Sequence, residues 1–216
     1  MKNKPRIRAG RADEVNANSG EWAFVDLGFA QSSNKSCGLL WGTQCEYPVG
    51  CTNLTFAQLT DELKGKVNSG GPLNLLLEAP LSVAFSEDGN PSGRTIEKRD
   101  LQTRYWYVGL GCSVLTAATH LLRAVADCDP GREIRLFEGF ASFKPTKGRK
   151  SNHCWDVHRL RMAVCGHADE PDRKVVSEDE LKVCETDRLQ SAFRVAEMDF
   201  GIPPVIALGR WRAPPS

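Results

Sequence analysis

The chain has 216 residues, of which 41% are hydrophobic and 25% charged, and its formal net charge is +1. This composition is typical of a folded globular protein and excludes nucleic-acid binding through overall positive charge, so such a role would need local basic patches. No apolar run approaches the roughly 18–20 residues of a membrane-spanning helix. The basic segment 1–11 also lacks the apolar stretch of a signal peptide. We therefore expect a cytoplasmic protein that does not enter a membrane.

Eight cysteines occur along the chain, and none of them forms a C-x-x-C pair. Because the chain is not small and shows no export signal, we predict that most of them are reduced and buried. His153, Cys154 and His158 lie close together and suggest a metal cluster. A zinc site normally has four well-spaced ligands, however, and the sequence does not supply a clear fourth one.

The first part of the chain predicts a lead-in followed by a β-meander. Residues 1–20 are polar, and we predict that they are a flexible lead-in to one domain over residues 21–210. Aromatic and β-branched residues predict a strand over 22–27, and a second strand over 37–41 completes a hairpin. A third short strand is predicted around 46–51.

A helix and a buried strand follow the meander. Apolar residues recur at helical spacing, at Phe56, Leu59, Leu63 and Val67. Thr55 or Asn53 is available as the N-cap of this helix. The segment 69–72 ends it, and the run 73–77, which is apolar except for Asn74, is typical of a strand that is buried on both faces. This strand continues directly into Glu78.

The second half of the chain alternates between helices and strands. Residues 86–104 are polar and predict a loop. The later predicted elements are a helix over 108–126, a strand over 133–137, helices over 155–165 and 179–196, and a strand over 203–208. A meander followed by alternating helices and strands indicates a mixed sheet with helices on its faces.

Three predicted strands end in a carboxylate, at Asp26, Glu78 and Glu138. A buried carboxylate is costly unless it is paired or binds a cation. In α/β sheets, ligands gather at the carboxyl ends of the strands. Asp26 and Glu78 would share a divalent metal if their strands are neighbours, and Mg²⁺ prefers such oxygen ligands. The alternative is that each acid caps a turn or pairs with a basic residue.

The residues around these acids resemble a known group. Asp26–Ala30, Glu78–Ser82 and Glu138–Phe143 each follow a predicted strand, in the order found in predicted nucleases of the ribonuclease H-like superfamily. That group is related to Holliday-junction resolvases, and the resemblance covers roughly residues 22–208. It implies an α/β ribonuclease H-like fold, with a mixed five-stranded sheet that has its first three strands antiparallel and is flanked by helices. It also implies a phosphodiesterase site with Mg²⁺ or Mn²⁺.

Such enzymes usually take a further acid from a late helix, and two residues of this chain are candidates. Asp187, in the segment Thr186–Phe193, looks more like the family's final helix, and Asp156 is the runner-up. The resemblance therefore implies Asp26, Glu78 and Asp187 as metal ligands, with Glu138 and Asp156 as further catalytic candidates. Glu78 departs from the family pattern, in which an aspartate is common at this position.

Two basic segments are predicted to bind the phosphates of nucleic acid. Their residues are Arg94, Lys98, Arg99 and Arg104 in the first segment, and Lys144, Lys147, Arg149 and Lys150 in the second. The aromatic run 105–107 beside the first segment is suited to stacking on unpaired bases. The alternative is a solvated loop and the aromatic start of a packed helix. His153 is a candidate for orienting a water, although a lone loop histidine is more often a surface residue.

The sequence thus supports a metal-dependent nuclease that hydrolyses phosphodiester bonds in nucleic acid. The alternative is a non-catalytic binding module on the same fold, in which Asp26 and Glu78 lie more than about 8 Å apart and cannot share a metal. A kinase-like ATPase is a third possibility, because Asp-x-Gly also follows the first strand of that related class. The chain is too short for the two duplicated domains of such enzymes. DNA or RNA specificity, substrate structure and oligomeric state stay open.

Overall fold

The computed structural model shows an α/β protein with a large mixed sheet and helices packed on both of its faces. The residues that it describes are 6–28, 35–43, 50–99, 102–103, 110–141, 153–167, 170 and 172–209. All statements on structure below concern these residues.

Thirteen strands and four α-helices lie in the described part of the chain. The strands are β1 (Ile7–Ala9), β2 (Glu21–Asp26), β3 (Cys37–Trp41), β4 (Cys51–Leu54), β5 (Leu73–Glu78), β6 (Ser82–Phe85), β7 (Pro91–Ser92), β8 (Lys98–Arg99), β9 (Gln102–Thr103), β10 (Ile134–Phe140), β11 (Lys174–Val176), β12 (Arg188–Ser191) and β13 (Val205–Ala207). The α-helices are α1 (Phe56–Lys66), α2 (Leu110–Ala126), α3 (His153–Cys165) and α4 (Glu178–Leu181). Short 3₁₀-helices span Ala12–Glu14, Thr95–Glu97 and Ala192–Ala196.

The large sheet has eight strands, in the order β11-β13-β10-β5-β2-β3-β4, with β1 also paired to β10. Strands β2, β5, β10 and β13 run parallel, whereas β3 is antiparallel to both β2 and β4. The α/β class and the mixed sheet are therefore confirmed. The third antiparallel strand, Cys51–Leu54, begins at the last residue of the predicted range 46–51, and residues 46–49 of that range lie outside the described residues.

The expected number of five strands is wrong, because three more strands extend the sheet beyond β10. Strand β1 pairs with the first half of β10, from Ile134 to Leu136, and β13 pairs with Glu138–Phe140. Both lie on the edge of β10 that β5 leaves open. An unpaired edge exposes a row of backbone N–H and C=O groups. Strand β1 forms hydrogen bonds with the first half of this edge, and β13 forms them with the second half.

Helices α1 and α2 cover one face of the sheet. Helix α1 begins at the predicted cap, Thr55, whose hydroxyl accepts from Gln58 N at 3.2 Å while the Gln58 side chain accepts from Thr55 N. The buried side chains on this face come from alternate strand positions and from one stripe of each helix: Ala23, Val25, Leu73, Leu75, Leu77, Leu59, Leu63, Leu121 and Leu122. This packing explains why the run 73–77 is apolar at every position except Asn74, since Leu76 faces the other layer and Asn74 donates to the Ser19 hydroxyl.

Helix α3 covers the opposite face. Val157 and Leu160 of the helix pack against Trp22, Phe24 and Leu76 of the sheet. The two aromatic rings stack on each other with their centroids 5.4 Å apart. This face therefore has its own apolar core, which ends where the strands reach Asp26 and Glu78.

The segment predicted as a loose lead-in, 1–20, contains regular secondary structure between residues 7 and 14. Ile7–Ala9 forms β1, and Ile7 is buried. Glu14, which is also buried, accepts from Arg8 at 2.6 Å and from the backbone N–H of Arg11 at 2.9 Å. The polar composition does not predict this strand, because the contacts that stabilise it are the pairing with β10 and the ion pair between Arg8 and Glu14.

The predicted helix over 179–196 is also wrong. Helix α4 ends at Leu181, and β12 instead pairs antiparallel with β6, with Leu189 opposite Ala84 and Ser191 opposite Ser82. The apolar spacing in this segment fits a helix, but the edge of β6 supplies a strand partner about a hundred residues away in sequence. Tertiary pairing of this kind overrides local periodicity.

Candidate metal centre

Asp26 and Glu78 end two neighbouring parallel strands, β2 and β5. Side chains alternate between the faces of a strand, so Asp26 shares a face with Phe24, and Glu78 shares it with Leu76. The register of the two strands places Asp26 directly opposite Glu78. Both carboxylates therefore leave the sheet at the same level, on the face that α3 covers.

A third carboxylate comes from the first turn of α3. Asp156 lies one helical turn before Leu160, which packs on the sheet, so the two side chains share a face of α3. Asp26, Glu78 and Asp156 each offer one oxygen, and these three oxygens lie within 4.8 Å of one another. The residues are only 5%, 8% and 1% exposed, respectively. We call these three residues the carboxylate triad.

The triad could hold a metal ion. Like charges at this separation repel one another, and a shared cation would offset the repulsion. The group formed by the described residues consists of carboxylates alone, which are the hard oxygen ligands that Mg²⁺ and Mn²⁺ prefer over the softer nitrogen and sulfur donors of zinc sites. The donor set therefore fits the ion that the sequence resemblance implies, although the identity of a bound ion is not shown.

His153, the first residue of α3, contacts the triad. Its Nδ1 lies 2.7 Å from Oδ2 of Asp26. A carboxylate can only accept, so Nδ1 carries the proton and donates it. No sequence pattern predicts this contact, because the two residues are 127 positions apart. The interpretation of His153 as an ordinary surface residue is corrected, since its side chain is only 26% exposed.

Asp187, the favoured late acid, lies outside the triad. The carboxylate of Asp187 accepts from the backbone N–H groups of Val183 and Cys184 at 3.1 and 3.0 Å. It precedes β12 rather than lying on a helix, so its role is to fix the turn that leads into that strand. Of the two late acids, the runner-up, Asp156, is the one that lies beside Asp26 and Glu78.

Glu138 is also absent from the triad; it does not end its strand as predicted, because β10 continues to Phe140. Its Oε2 accepts from Leu81 N at 2.8 Å and from Nη1 of Arg94 at 2.9 Å, and its Oε1 lies 2.8 Å from Nη2 of Arg94. Arg94 also donates to Glu97 and to the Ser82 hydroxyl. Arg94, Glu97 and Glu138 are fully buried, so Glu138 belongs to a structural ion network.

This network corrects the prediction that Arg94 binds nucleic acid, because the guanidinium does not reach solvent. Lys98, in contrast, is exposed. The side chain of Arg99 and the other basic candidates lie outside the described residues: Arg104, Lys144, Lys147, Arg149 and Lys150.

Cysteine chemistry near the triad differs from the expectation. Cys51 of β4 and Cys154 of α3 form a disulfide, so Cys154 is not a thiolate ligand and the zinc cluster is ruled out in this form. The described free cysteines are Cys37, Cys112, Cys128, Cys165 and Cys184. Burial raises the pKa of the Cys37 thiol, and the negative charge of Asp26 raises it further, so this thiol stays neutral.

The comparisons with known proteins do not identify a family for this chain. No protein-family model matches the chain, and searches of curated proteins and of solved structures gave no match. None of the helices in the described ranges is long and apolar enough to cross a membrane. The site is therefore interpreted from its geometry and from the sequence resemblance.

Proposed function

We propose that this protein is a Mg²⁺- or Mn²⁺-dependent nuclease with a ribonuclease H-like fold, which hydrolyses phosphodiester bonds in nucleic acid. The carboxylate triad carries the proposal. It places Asp26, Glu78 and Asp156 within 4.8 Å of one another at the carboxyl ends of the central strands. The antiparallel arrangement of β2, β3 and β4, beside the parallel strand β5, is also what the sequence resemblance implies.

The three triad residues would hold the ion through their carboxylate oxygens. A bound divalent cation supplies Lewis-acid stabilisation of the phosphoryl oxygens and lowers the pKa of a coordinated water. The surrounding residues of the chain hold the three carboxylates in place. The backbones of β2 and β5 fix Asp26 and Glu78 through the sheet ladder, and the packing of α3 fixes Asp156. Because all three are buried, their orientations are set before a substrate arrives.

The binding-module alternative expects the acids not to converge. The proximity of the three carboxylates therefore favours the metal-dependent enzyme. The binding of nucleic acid rests on the resemblance and on the exposed Lys98, since the remaining basic candidates are buried or outside the described residues.

The test is cleavage of labelled nucleic acids by the purified chain in Mg²⁺, in Mn²⁺ and in a chelator. Single-stranded DNA, duplex DNA, RNA and a four-way DNA junction cover the substrates that the sequence leaves open. The decisive comparison is wild type against Asp156→Asn, which keeps the size of the side chain but removes its charge. Asp187→Asn is the matched control, because it makes the same chemical change outside the triad.

We expect metal-dependent cleavage by the wild type and by Asp187→Asn, and none by Asp156→Asn. Equal cleavage by Asp156→Asn and the wild type would rule out the triad as the active site. If the folded wild type binds Mn²⁺ but cleaves none of the four substrates, the metal site stands and the nuclease proposal fails.

A further inference from the structure

The contact between His153 and Asp26 is held by the surrounding backbone. In the ladder between β2 and β3, Gly38 lies directly opposite Asp26. A Cβ atom at position 38 would lie 3.1 Å from the Cβ, carbonyl carbon and oxygen of His153. A Cβ at position 28 would lie 2.8 Å from Cε1 of the same imidazole, and it would overlap the carbonyl oxygen of Ser36.

Two glycines therefore leave the space in which the first residue of α3 lies. A side chain at either position would have to push His153 or its neighbours away. The imidazole thus occupies a defined place against the sheet, which distinguishes it from a surface histidine that meets a carboxylate by chance.

The same helical turn carries a ligand of the triad. His153 and Asp156 are three residues apart, so they lie on one face of α3, one turn from each other. Cys154, between them, is bonded to Cys51 of β4. The first turn of α3 is therefore fixed to β2 by a hydrogen bond and to β4 by a disulfide, and it presents Asp156 from that fixed position.

We propose that His153 is a positioning residue of the metal site. Its Nδ1–H donates to Oδ2 of Asp26, which restricts rotation of that carboxylate and leaves it oriented for the ion. Hydrogen bonds from outer residues to ligating groups commonly control metal affinity in this way, and their loss costs about 10- to 100-fold in affinity. This inference rests on the proposed metal site.

Two variants separate the hydrogen bond from the bulk of the side chain. His153→Asn places an amide N–H near the position of Nδ1 and keeps the donor, whereas His153→Leu fills similar space without one. The measurement is the Mn²⁺ dissociation constant of the full chain by titration calorimetry, together with the melting temperature of each variant in chelator. We expect His153→Leu to weaken Mn²⁺ binding by roughly 10- to 100-fold, and His153→Asn to restore most of it at a similar melting temperature.

The outcomes identify which idea fails. If the wild type binds Mn²⁺ and His153→Leu binds it equally well, the positioning role is refuted and the proposed function is untouched. If the wild type does not bind Mn²⁺, or Asp156→Asn binds it as well as the wild type, the metal site fails and this inference fails with it. An independent check needs no variant: imidazole ¹H–¹⁵N spectra of the wild type should show His153 protonated at Nδ1, and a ring without a proton there would overturn the inference.

Discussion

Replacing Arg94 by methionine should destabilise the protein strongly, because it removes the cation of the buried ion network. Arg94 lies between Glu97 and Glu138, and all three side chains are fully buried. Burial alone would lower the pKa of the Arg94 guanidinium. The charges and hydrogen bonds of Glu138 and Glu97 raise it by more than burial lowers it, so the guanidinium remains charged. Arg94→Met would leave two carboxylates in the interior without their cation.

The expected loss follows from this geometry. Removing one partner of a buried ion pair typically costs about 3–5 kcal/mol, because the other charge stays desolvated and unpaired. In a chain of this length, each kcal/mol lowers the melting temperature by roughly 2–4 °C. We therefore expect Arg94→Met to melt roughly 6–20 °C below the wild type.

The pH dependence of this loss is a second signature. Burial already raises the pKa of the Glu97 carboxyl, and Arg94 opposes that rise. Without Arg94, the Glu97 carboxyl is protonated in the folded state at a higher pH than in the unfolded chain, so stability falls as pH rises. The deficit of Arg94→Met should be largest at neutral pH and should shrink as pH falls towards 4.5, the ordinary glutamate value.

The assay is urea unfolding at several pH values, with two further variants. Arg94→Lys keeps a positive charge but loses the fork that binds both carboxylates, so its loss should be intermediate. The triple variant Arg94→Met, Glu97→Gln, Glu138→Gln removes all three charges and keeps an acceptor for the N–H of Leu81. It should recover part of the stability, because no unpaired charge remains.

Two results would refute this reasoning. An Arg94→Met variant within about 1 kcal/mol of the wild type is incompatible with a buried ion network. If Glu138→Gln instead keeps its stability but loses Mn²⁺ affinity, Glu138 is a ligand and the assignment of its role is wrong.

Three further predictions concern other parts of the chain. Reduction of Cys51–Cys154, which spans 103 residues, should lower the free energy of unfolding by about 2–4 kcal/mol, and a Cys51→Ser variant should be insensitive to reductant. Asp187→Ala should cost about 1 kcal/mol through its lost backbone hydrogen bonds, without changing Mn²⁺ affinity in calorimetry. Burial alone would raise the pKa of the Glu14 carboxyl. Hydrogen bonds from Arg8 and from the Arg11 backbone lower this pKa by more than burial raises it, so it lies below the ordinary value of 4.5. The ionised Glu14 carboxylate therefore contributes to the free energy of unfolding above pH 4.5, and this contribution is lost as the pH falls below that value. The Glu14→Gln variant should be less stable than the wild type at neutral pH. In urea unfolding at acid pH, the difference should vanish.

The sequence predicted the central strands because their signals are local. The run 73–77 is buried on both faces, and the aromatic and β-branched residues before Asp26 predict a strand that ends in this acid. The cap at Thr55 and the helix after it depend only on residues within a few positions. Such features can be read without knowing any tertiary contact.

The errors concern residues whose partners are distant in sequence. Arg94 belongs to a polar segment that predicts an exposed loop, and its burial follows from Glu138, 44 residues away. The stripe around Leu189 fits a helix until β6 pairs with it. Composition and periodicity carry no information about such partners, because both describe only the neighbourhood of a residue along the chain.

The choice between Asp156 and Asp187 was undecidable from the sequence for the same reason. Strand register brings Asp26 and Glu78 together, but the third triad residue depends on where α3 begins and how it lies on the sheet. The glycine at position 38 allows this close approach, because a Cβ there would lie 3.1 Å from His153 and the first turn would have to shift slightly. If the proposed metal site is correct, changes at the start of α3 should alter metal affinity more than they alter the stability of the sheet, since the turn carries one proposed ligand, Asp156, and contacts another, Asp26.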